Sequence, residues 1–240
     1  MSTPTSQSIS LTARGEEFVA SVMRLQPQVA VFDCDGTLWN ADAGEGFFYW
    51  EMERGLLPEE VVRWAKPRYE DYRKGLVGEE QMCGEMVTIH AGLSCEMLER
   101  AAAEFFAERI VPIIFPEMQE LTRRLGASGC ELWAVSSTNE WVIRAGVARF
   151  GIPATRVIAV CVELNGGHCT DRLIRVPTDD LKASAIRELL PRMPDAVFGN
   201  SVHDLAMLEL ARHPFAINPN ADLEEVARRR GWSIYQPSPQ

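Results

Sequence analysis

Short apolar runs alternate with amphipathic stretches along most of the chain. Residues 29–32 are all apolar, which is typical of a strand buried on both faces, whereas the apolar positions of residues 12–25 recur with a helical period. Asn-Gly at 165–166, between two extended runs, predicts a β-hairpin. Because strands that alternate with helices form parallel sheets, the pattern predicts an α/β fold with a doubly wound parallel sheet. Further core strands are predicted at 131–135, 157–160, 196–198 and, last, 215–217.

One long segment departs from this alternation. Between residues 46 and 109 the apolar positions recur with a helical period and no strand run appears, which predicts four consecutive helices. We therefore expect a core domain formed by residues 1–42 and 111–240, with a small helical domain inserted at 43–110.

Charge narrows the range of partners. The chain of 240 residues carries 34 acidic and 24 basic side chains, which gives a formal net charge of −10. Such a surplus repels nucleic acid and anionic lipid, so we expect neither as a partner. It remains compatible with a small phosphorylated metabolite held by a few local cations, which is the partner we expect. The sequence leaves the oligomeric state open.

Compartment is indicated by what the sequence does not contain. No stretch approaches the ~18 apolar residues of a membrane span, and the polar segment Met1–Ser10 lacks the basic-then-apolar pattern of a signal peptide. None of the six cysteines forms a C-x-x-C pair, so a zinc site or a thioredoxin-like motif is unsupported. We therefore expect a reduced, cytoplasmic protein without a membrane partner.

Three of the predicted strands end in polar residues, where ligands bind in open α/β sheets. The sequences are DCDGT at 33–37, SSTN at 136–139 and GNSVHD at 199–204, and Lys182 opens the helix between the last two. A carboxylate can act as nucleophile or as acid, while hydroxyls, turn amides and a lysine can hold phosphate oxygens. A hard cation such as Mg²⁺ takes oxygen ligands. The set therefore favours phosphoryl transfer.

These residues resemble the four motifs of the haloacid dehalogenase-like (HAD) superfamily. D-x-D-G-T after an apolar strand, Ser136, Lys182 and the 199–204 segment occur in the order of that family, and the resemblance spans most of the chain. A helical insert directly after the first motif resembles its C1 cap, and the layout is most similar to the phosphoserine-phosphatase-like branch. The resemblance implies a Rossmann-like core with a small inserted helical cap.

The resemblance also implies catalytic and phosphate-binding roles at the matched positions. Asp33 would be the nucleophile and a Mg²⁺ ligand, and Asp35 would be the general acid/base and offer its backbone carbonyl to the metal. Ser136 and the amide of Ser137 would bind phosphate, and Lys182 would neutralise the negative charge. Dehalogenases of the superfamily lack the second aspartate, so Asp35 favours phosphate chemistry.

Asn200 and Asp204 are the remaining metal candidates. By the resemblance they would complete or support the Mg²⁺ site, and Asp204 could instead be only a helix N-cap. Asn200 stands where an aspartate is commoner in the family. Its amide oxygen can still ligate Mg²⁺, but one negative charge is lost, so we expect weaker metal binding.

The other end of the substrate is expected to contact the cap. Phosphoserine phosphatases place an arginine in the cap, and residues 85–88, where we align it, contain none, so a carboxylate-bearing substrate is disfavoured. Asp42 and Glu45 accompany Trp39 and the aromatic run 47–50, a combination that suits an organic cation. The plainer interpretation is that these acids are solvated and these aromatic residues form the core of the cap.

Together these expectations describe a Mg²⁺-dependent phosphatase. It would hydrolyse a small phosphomonoester through an aspartyl-phosphate intermediate, and esters that bear a cationic or amine group are among the candidate substrates. Two alternatives stay open: a phosphotransferase with an alcohol as acceptor, and a non-catalytic module that binds a phosphorylated metabolite.

Overall fold

A seven-stranded sheet forms the centre of the protein. The computed structural model describes residues 10–238, so most of the N-terminal segment used above to assign the compartment lies outside the described residues. The strand order is β4-β3-β2-β1-β5-β6-β7, and all neighbours are parallel except β3 and β4. The strands are β1 Val29–Phe32, β2 Glu131–Asn139, β3 Val157–Asn165, β4 His168–Arg175, β5 Ala196–Gly199, β6 His213–Ile217 and β7 Ser233–Tyr235.

Helices cover both faces of the sheet, as the alternating pattern predicts. Along β1, Ala30 and Phe32 join one apolar cluster while Val29 and Val31 join another, because successive side chains of a strand point to opposite faces. The ten helices of the described residues are α1 Ala13–Met23, α2 Ala43–Glu53, α3 Glu59–Arg73, α4 Glu79–Thr88, α5 Cys95–Phe105, α6 Pro116–Ala127, α7 Glu140–Val147, α8 Asp179–Leu189, α9 Leu205–Leu208 and α10 Ala221–Arg230. None of the helices in this part of the chain is long and apolar enough to cross a bilayer.

Between β1 and α6 the chain forms the four predicted helices, α2 to α5, followed by a π-helical turn. Phe48, Tyr69 and Met82 belong to a small apolar cluster of these helices. Phe47 and Phe105, in contrast, pack into the main cluster on the sheet. The inserted helices are therefore anchored on the core through α2 and α5, and the domain boundaries at 43 and 110 stay a prediction.

Two sequence-based expectations about strands need correction. β2 continues through residues 136–139, which were expected to follow it. The strand at 215–217 is not the last, because α10 and β7 come after it. Only Leu223 and Ala227 of α10 are buried, and most of its other residues are charged, so its sequence gives no clear periodic signal. The hairpin at 165–166 is confirmed, with Gly166 and Gly167 both at positive φ.

Register brings the polar strand ends together. Phe32, the last residue of β1, pairs with Ala134 of β2 and with Phe198 of β5. Asp33 therefore emerges between the two other polar segments at one edge of the sheet, beneath the inserted helices.

Candidate active site

A cavity of about 410 Å³ lies between this sheet edge and the inserted helices. Eight of the nine residues that the sequence nominates line it, and Asp204 does not. The lining eight are Asp33, Asp35, Asp42, Glu45, Ser136, Ser137, Lys182 and Asn200. The motifs thus meet in one cavity large enough for a small metabolite.

Asp33 is held at the base of this cavity with only 4% of its surface exposed. Lys182 Nζ donates to Oδ1 at 2.9 Å, and Thr37 Oγ1 donates to Oδ2 at 2.9 Å. Burial and the nearby Asp204 carboxylate raise the pKa of Asp33 to about 6, against the opposing influence of Lys182 and Thr37. At neutral pH Asp33 is therefore mostly ionised, as a nucleophile must be.

Lys182 lies between two buried carboxylates. Its Nζ is 2.9 Å from Asp33 Oδ1 and 2.6 Å from Asp204 Oδ1, and all three side chains are almost fully buried. Burial alone would lower the pKa of Lys182, but the charges of Asp204 and Asp33 outweigh it and hold that pKa above its ordinary value. The lysine is a fixed positive charge directly beside Asp33.

Asp204 is the second carboxylate that contacts Lys182. Its Oδ1 accepts from Lys182, and its Oδ2 accepts from the backbone N–H groups of Asn200 at 2.9 Å and Ser201 at 3.1 Å. Asp204 belongs to a 3₁₀ turn at residues 202–204. A Cβ added at Gly199 would lie 2.7 Å from the Cβ of Asp204, so the two residues are in close contact. Both carboxylate oxygens are thus already engaged, an arrangement that orients Lys182 and the 199–201 loop.

Asp35 also lines the cavity, and its carboxylate accepts hydrogen bonds from a different set of donors. Trp39 Nε1 and the Ala43 amide each donate to Oδ1 at 2.7 Å, and Thr138 Oγ1 donates to Oδ2 at 2.8 Å. Enclosure beneath the inserted helices, and then the Asp42 carboxylate, raise the pKa of Asp35 to about 7. A carboxyl group with a pKa near neutrality can both give and take a proton, which suits a general acid/base.

Trp39 and Thr138 both donate hydrogen bonds to Asp35, and neither contact is predicted from the sequence. Trp39 was grouped with the aromatic residues at the cap entrance, but it is fully buried and positions Asp35. Its place four residues after Asp35 could have suggested this contact. Thr138 is 103 positions from Asp35, and no local pattern signals that pairing.

The loop after Asp33 brings three candidate metal ligands together. Gly36 has φ of +72°, and a Cβ there would lie 2.0 Å from Asn200 Nδ2, so only glycine fits. Within residues 10–238 the Asn200 side chain and the Asp35 backbone carbonyl have no hydrogen-bond partner. The same range contains no group of three or more His, Cys, Asp or Glu side chains that could hold a metal ion. A carboxylate, an amide oxygen and a carbonyl nevertheless form an all-oxygen set that fits Mg²⁺.

Ser136 and Ser137 lie where β2 and β3 lose register. The shift between Val135 and Asn139 leaves residues 136–138 without Cα partners on β3. Ser136 Oγ accepts from the Thr138 amide at 3.1 Å, so its own proton remains available to a ligand. Ser137 Oγ instead donates to the Pro177 carbonyl at 3.3 Å, which leaves only its backbone to face a phosphate.

The part of the cavity wall that the inserted helices form is acidic and partly aromatic. Asp42 caps α2, where its Oδ1 accepts from the Glu45 amide at 2.8 Å, and Glu45 lies 3.9 Å from Arg73. Glu51 of α2 and Glu79 of α4 are two further acids that line the cavity. Among the described residues that form the lining, Lys182 is the only lysine or arginine.

The aromatic run 47–50 divides between two roles. Phe47 and Phe48 are buried and line the cavity. Trp50 does not, because its Nε1 donates to Glu108 at 3.1 Å and Arg54 stacks over its ring. The predicted aromatic cluster at the cap entrance is thus mostly core, and only part of it contacts the cavity.

Comparison with known proteins agrees with this geometry. The model of the haloacid dehalogenase-like hydrolases matches residues 30–209. The histidinol-phosphatase of Neisseria meningitidis serogroup C (strain 8013) is 29% identical over 217 residues, which cover 86% of this chain and 97% of the relative.

Two solved structures share the fold. A protein of unknown function from Bordetella pertussis Tohama I has a TM-score of 0.75 at 26% identity, over 86% of this chain and 97% of that one. A phosphoserine phosphatase, solved as a phospho-aspartyl intermediate analogue, has a TM-score of 0.57 at 18% identity, over 89% and 94%. The chain belongs to the haloacid dehalogenase-like hydrolases, in their phosphoserine-phosphatase-like branch, and is a phosphomonoester hydrolase.

Proposed function

We propose that the chain is a Mg²⁺-dependent phosphatase that hydrolyses a small, cationic phosphomonoester through an aspartyl-phosphate on Asp33. The observation that carries this proposal is the pair Asp33 and Asp35 at the base of one cavity. Asp33 lies beside a lysine, whereas Asp35 accepts only from neutral donors and has a pKa near 7. Two carboxylates in such different surroundings suit the roles of nucleophile and acid/base.

The reaction has two steps. A carboxylate oxygen of Asp33 attacks phosphorus, the ester P–O bond breaks, and Asp35 donates its proton to the departing alkoxide. Asp35 then takes a proton from a water molecule, whose oxygen attacks phosphorus and displaces the Asp33 carboxylate. Ser136 and the loop amides bind the phosphoryl oxygens, and Lys182 balances their charge throughout.

HAD phosphatases generally use Mg²⁺. In this chain the carboxylate of Asp33, the backbone carbonyl of Asp35 and the side-chain amide of Asn200 would hold it. When bound, Mg²⁺ would neutralise negative charge on the phosphate and on Asp33. Asp204 would support the site through Lys182 and the 199–201 loop, since its own oxygens are already engaged.

A cationic substrate is supported by the charge of the cavity wall. Asp42, Glu45, Glu51 and Glu79 line the cavity from α2, its N-cap and α4, and no arginine lines it among the described residues. Arg68, in the cap, is engaged by both oxygens of Glu85 at 2.7 and 2.9 Å. An ammonium group is favoured there and a carboxylate is not, which disfavours phosphoserine. Histidinol phosphate, named for the Neisseria relative, carries such an ammonium group and is the first compound to test.

A panel of phosphate esters with Mg²⁺ tests this proposal. We expect histidinol phosphate and other amine-bearing esters to give kcat/KM at least about tenfold above neutral esters of similar size, as one charge-assisted contact would provide. Phosphoserine should be a poorer substrate than its decarboxylated counterpart, 2-aminoethyl phosphate. Equal rates for charged and neutral esters would contradict the cationic preference, and analysis of products in the presence of alcohols would distinguish hydrolysis from phosphoryl transfer.

Asn200→Asp tests the proposed metal ligands. Adding a negative charge beside Asp33 should tighten Mg²⁺ binding, with the half-saturating concentration lowered by about tenfold, because a carboxylate is a stronger ligand than an amide. Asp222→Asn, on the exposed face of α10, is the control. Magnesium titration of activity and of intrinsic fluorescence would measure the change, and an unaltered titration would remove Asn200 from the ligand set.

A further inference from the structure

A buried pair, Glu51 and His90, lies in the part of the cavity wall that the inserted helices form. Each side chain is 1% exposed, and His90 Nε2 is 2.7 Å from Glu51 Oε2. Both residues line the cavity. Neither belongs to the motifs that place the nucleophile, the lysine or the metal ligands.

Hydrogen bonding fixes how protons are arranged in this pair. His90 Nδ1 is 3.1 Å from the Val87 carbonyl oxygen, which can only accept, so Nδ1 carries a proton. One further proton then lies between Nε2 and Oε2, whichever atom holds it. Glu51 consequently presents to its surroundings an oxygen that accepts and cannot donate.

That oxygen is unpaired. Glu51 Oε1 is buried and has no hydrogen-bond partner among the described residues. A purely structural bond between α2 and the end of α4 needs only Oε2, whereas a buried oxygen without a hydrogen bond is destabilising. Buried polar atoms left without a partner are uncommon, and ligands are among the groups that satisfy them.

The side chains around Glu51 and His90 indicate which kind of group could bind to Oε1. Phe47 lies nearly parallel to the His90 ring, 6.4 Å between centroids, and lines the cavity together with Phe48. Apolar side chains beside a hydrogen bond lower the local polarity and so strengthen it. A bulky quaternary ammonium has no proton to offer Oε1, whereas a primary ammonium does.

From these observations we propose that Glu51, positioned by His90, is the specificity residue that accepts an N–H hydrogen bond from the far end of the substrate. The proposal rests on the phosphatase function above and sharpens it. The substrate class becomes phosphate esters of alcohols that bear an N–H cation, as distinct from neutral or quaternary ones.

The test compares matched substrates across variants. Phosphate esters of 2-aminoethanol, 3-aminopropanol and 4-aminobutanol are each paired with the alkyl phosphate of equal length, and phosphocholine is paired with its neutral isostere, 3,3-dimethylbutyl phosphate. The measured quantity is the ratio of kcat/KM within each pair. This ratio does not depend on how much of a variant is folded.

We expect the wild type to prefer at least one primary amine over its alkyl partner. Glu51→Met should lower that preference by about tenfold to a hundredfold, because it removes both oxygens while keeping the chain length. Glu51→Gln keeps an accepting oxygen and nearly the same shape, so its loss should be smaller. Glu80→Gln, an exposed acid on α4 outside the cavity lining, is the matched control and should leave the ratio unchanged.

The outcomes separate the two proposals. If the wild type hydrolyses the amine and alkyl esters but the ratios of Glu51→Met and Glu51→Gln both equal that of the wild type, the specificity role of Glu51 is overturned and the phosphatase stands. If Glu51→Met lowers the ratio for phosphocholine and its neutral isostere as much as the ratio for the primary amines, the effect is one of charge without an N–H hydrogen bond. That result would also overturn the specificity role of Glu51. No hydrolysis of any ester by the wild type would overturn both.

Discussion

Asp33→Asn is expected to abolish turnover, with kcat reduced by about 10⁴-fold or more, as is typical when a covalent nucleophile is removed. The amide has nearly the shape of the carboxylate, so the contact with Thr37 and the loop can persist. It cannot attack phosphorus, and it carries no charge to balance Lys182. Steady-state hydrolysis of the best ester from the panel would measure the loss, with circular dichroism to verify folding.

The Asp222→Asn control matches this substitution chemically at an exposed position outside the cavity lining and should retain full activity. Trapping of a phosphorylated enzyme with a rapidly quenched substrate should succeed for the wild type and fail for Asp33→Asn. Activity of Asp33→Asn within tenfold of the wild type would rule out Asp33 as the nucleophile.

Lys182→Met is expected to damage both stability and catalysis. It leaves Asp33 and Asp204 as two buried carboxylates without their shared cation, and breaking a buried ion pair in this way typically costs about 3–5 kcal/mol. Lys182 now opposes the rise in the pKa of Asp33 caused by burial and by Asp204. Without it that pKa rises further, so the nucleophile becomes protonated near neutrality and activity falls with the stability.

Denaturant unfolding of Lys182→Met and of the double variant Lys182→Met/Asp204→Asn would measure the stability effect. The second substitution removes one of the two stranded carboxylates, so part of the lost stability should return while catalysis does not. A free energy of unfolding for Lys182→Met within about 1 kcal/mol of the wild type would contradict this prediction. It would show that the contacts of Lys182 with Asp33 and Asp204 contribute little to stability.

How far the sequence predicted the site depends on the range of the contacts involved. Asp33, Asp35, Ser136, Lys182 and Asn200 were nominated because each follows a strand or opens a helix, and parallel strands bring such positions to one edge. The cavity lining contains all five. The sequence left open whether Asp204 ligates the metal or supports it, and its hydrogen bonds favour support.

The sequence misjudged side chains whose partners are distant. Trp39 was assigned to the cap entrance by composition, yet it packs in the core against Phe106 and donates to Asp35. In the sequence, Glu51 is one of several acids in the segment 42–53, and His90 is distant from it. Their contact, 39 positions apart, exists only because α2 and the end of α4 pack on the same side of the cavity.

By itself, the sequence determined the alternation of strands and helices, the helical insert and the chemistry at the strand ends, because periodicity and short motifs are local properties of a chain. Tertiary structure alone decided the surroundings that suit Asp35 to the proposed role of acid/base, the contact by which Asp204 supports Lys182, and which acids line the cavity. Those roles follow from burial and from donors contributed by other elements, since the same side chain changes its pKa and its free lone pairs with its surroundings.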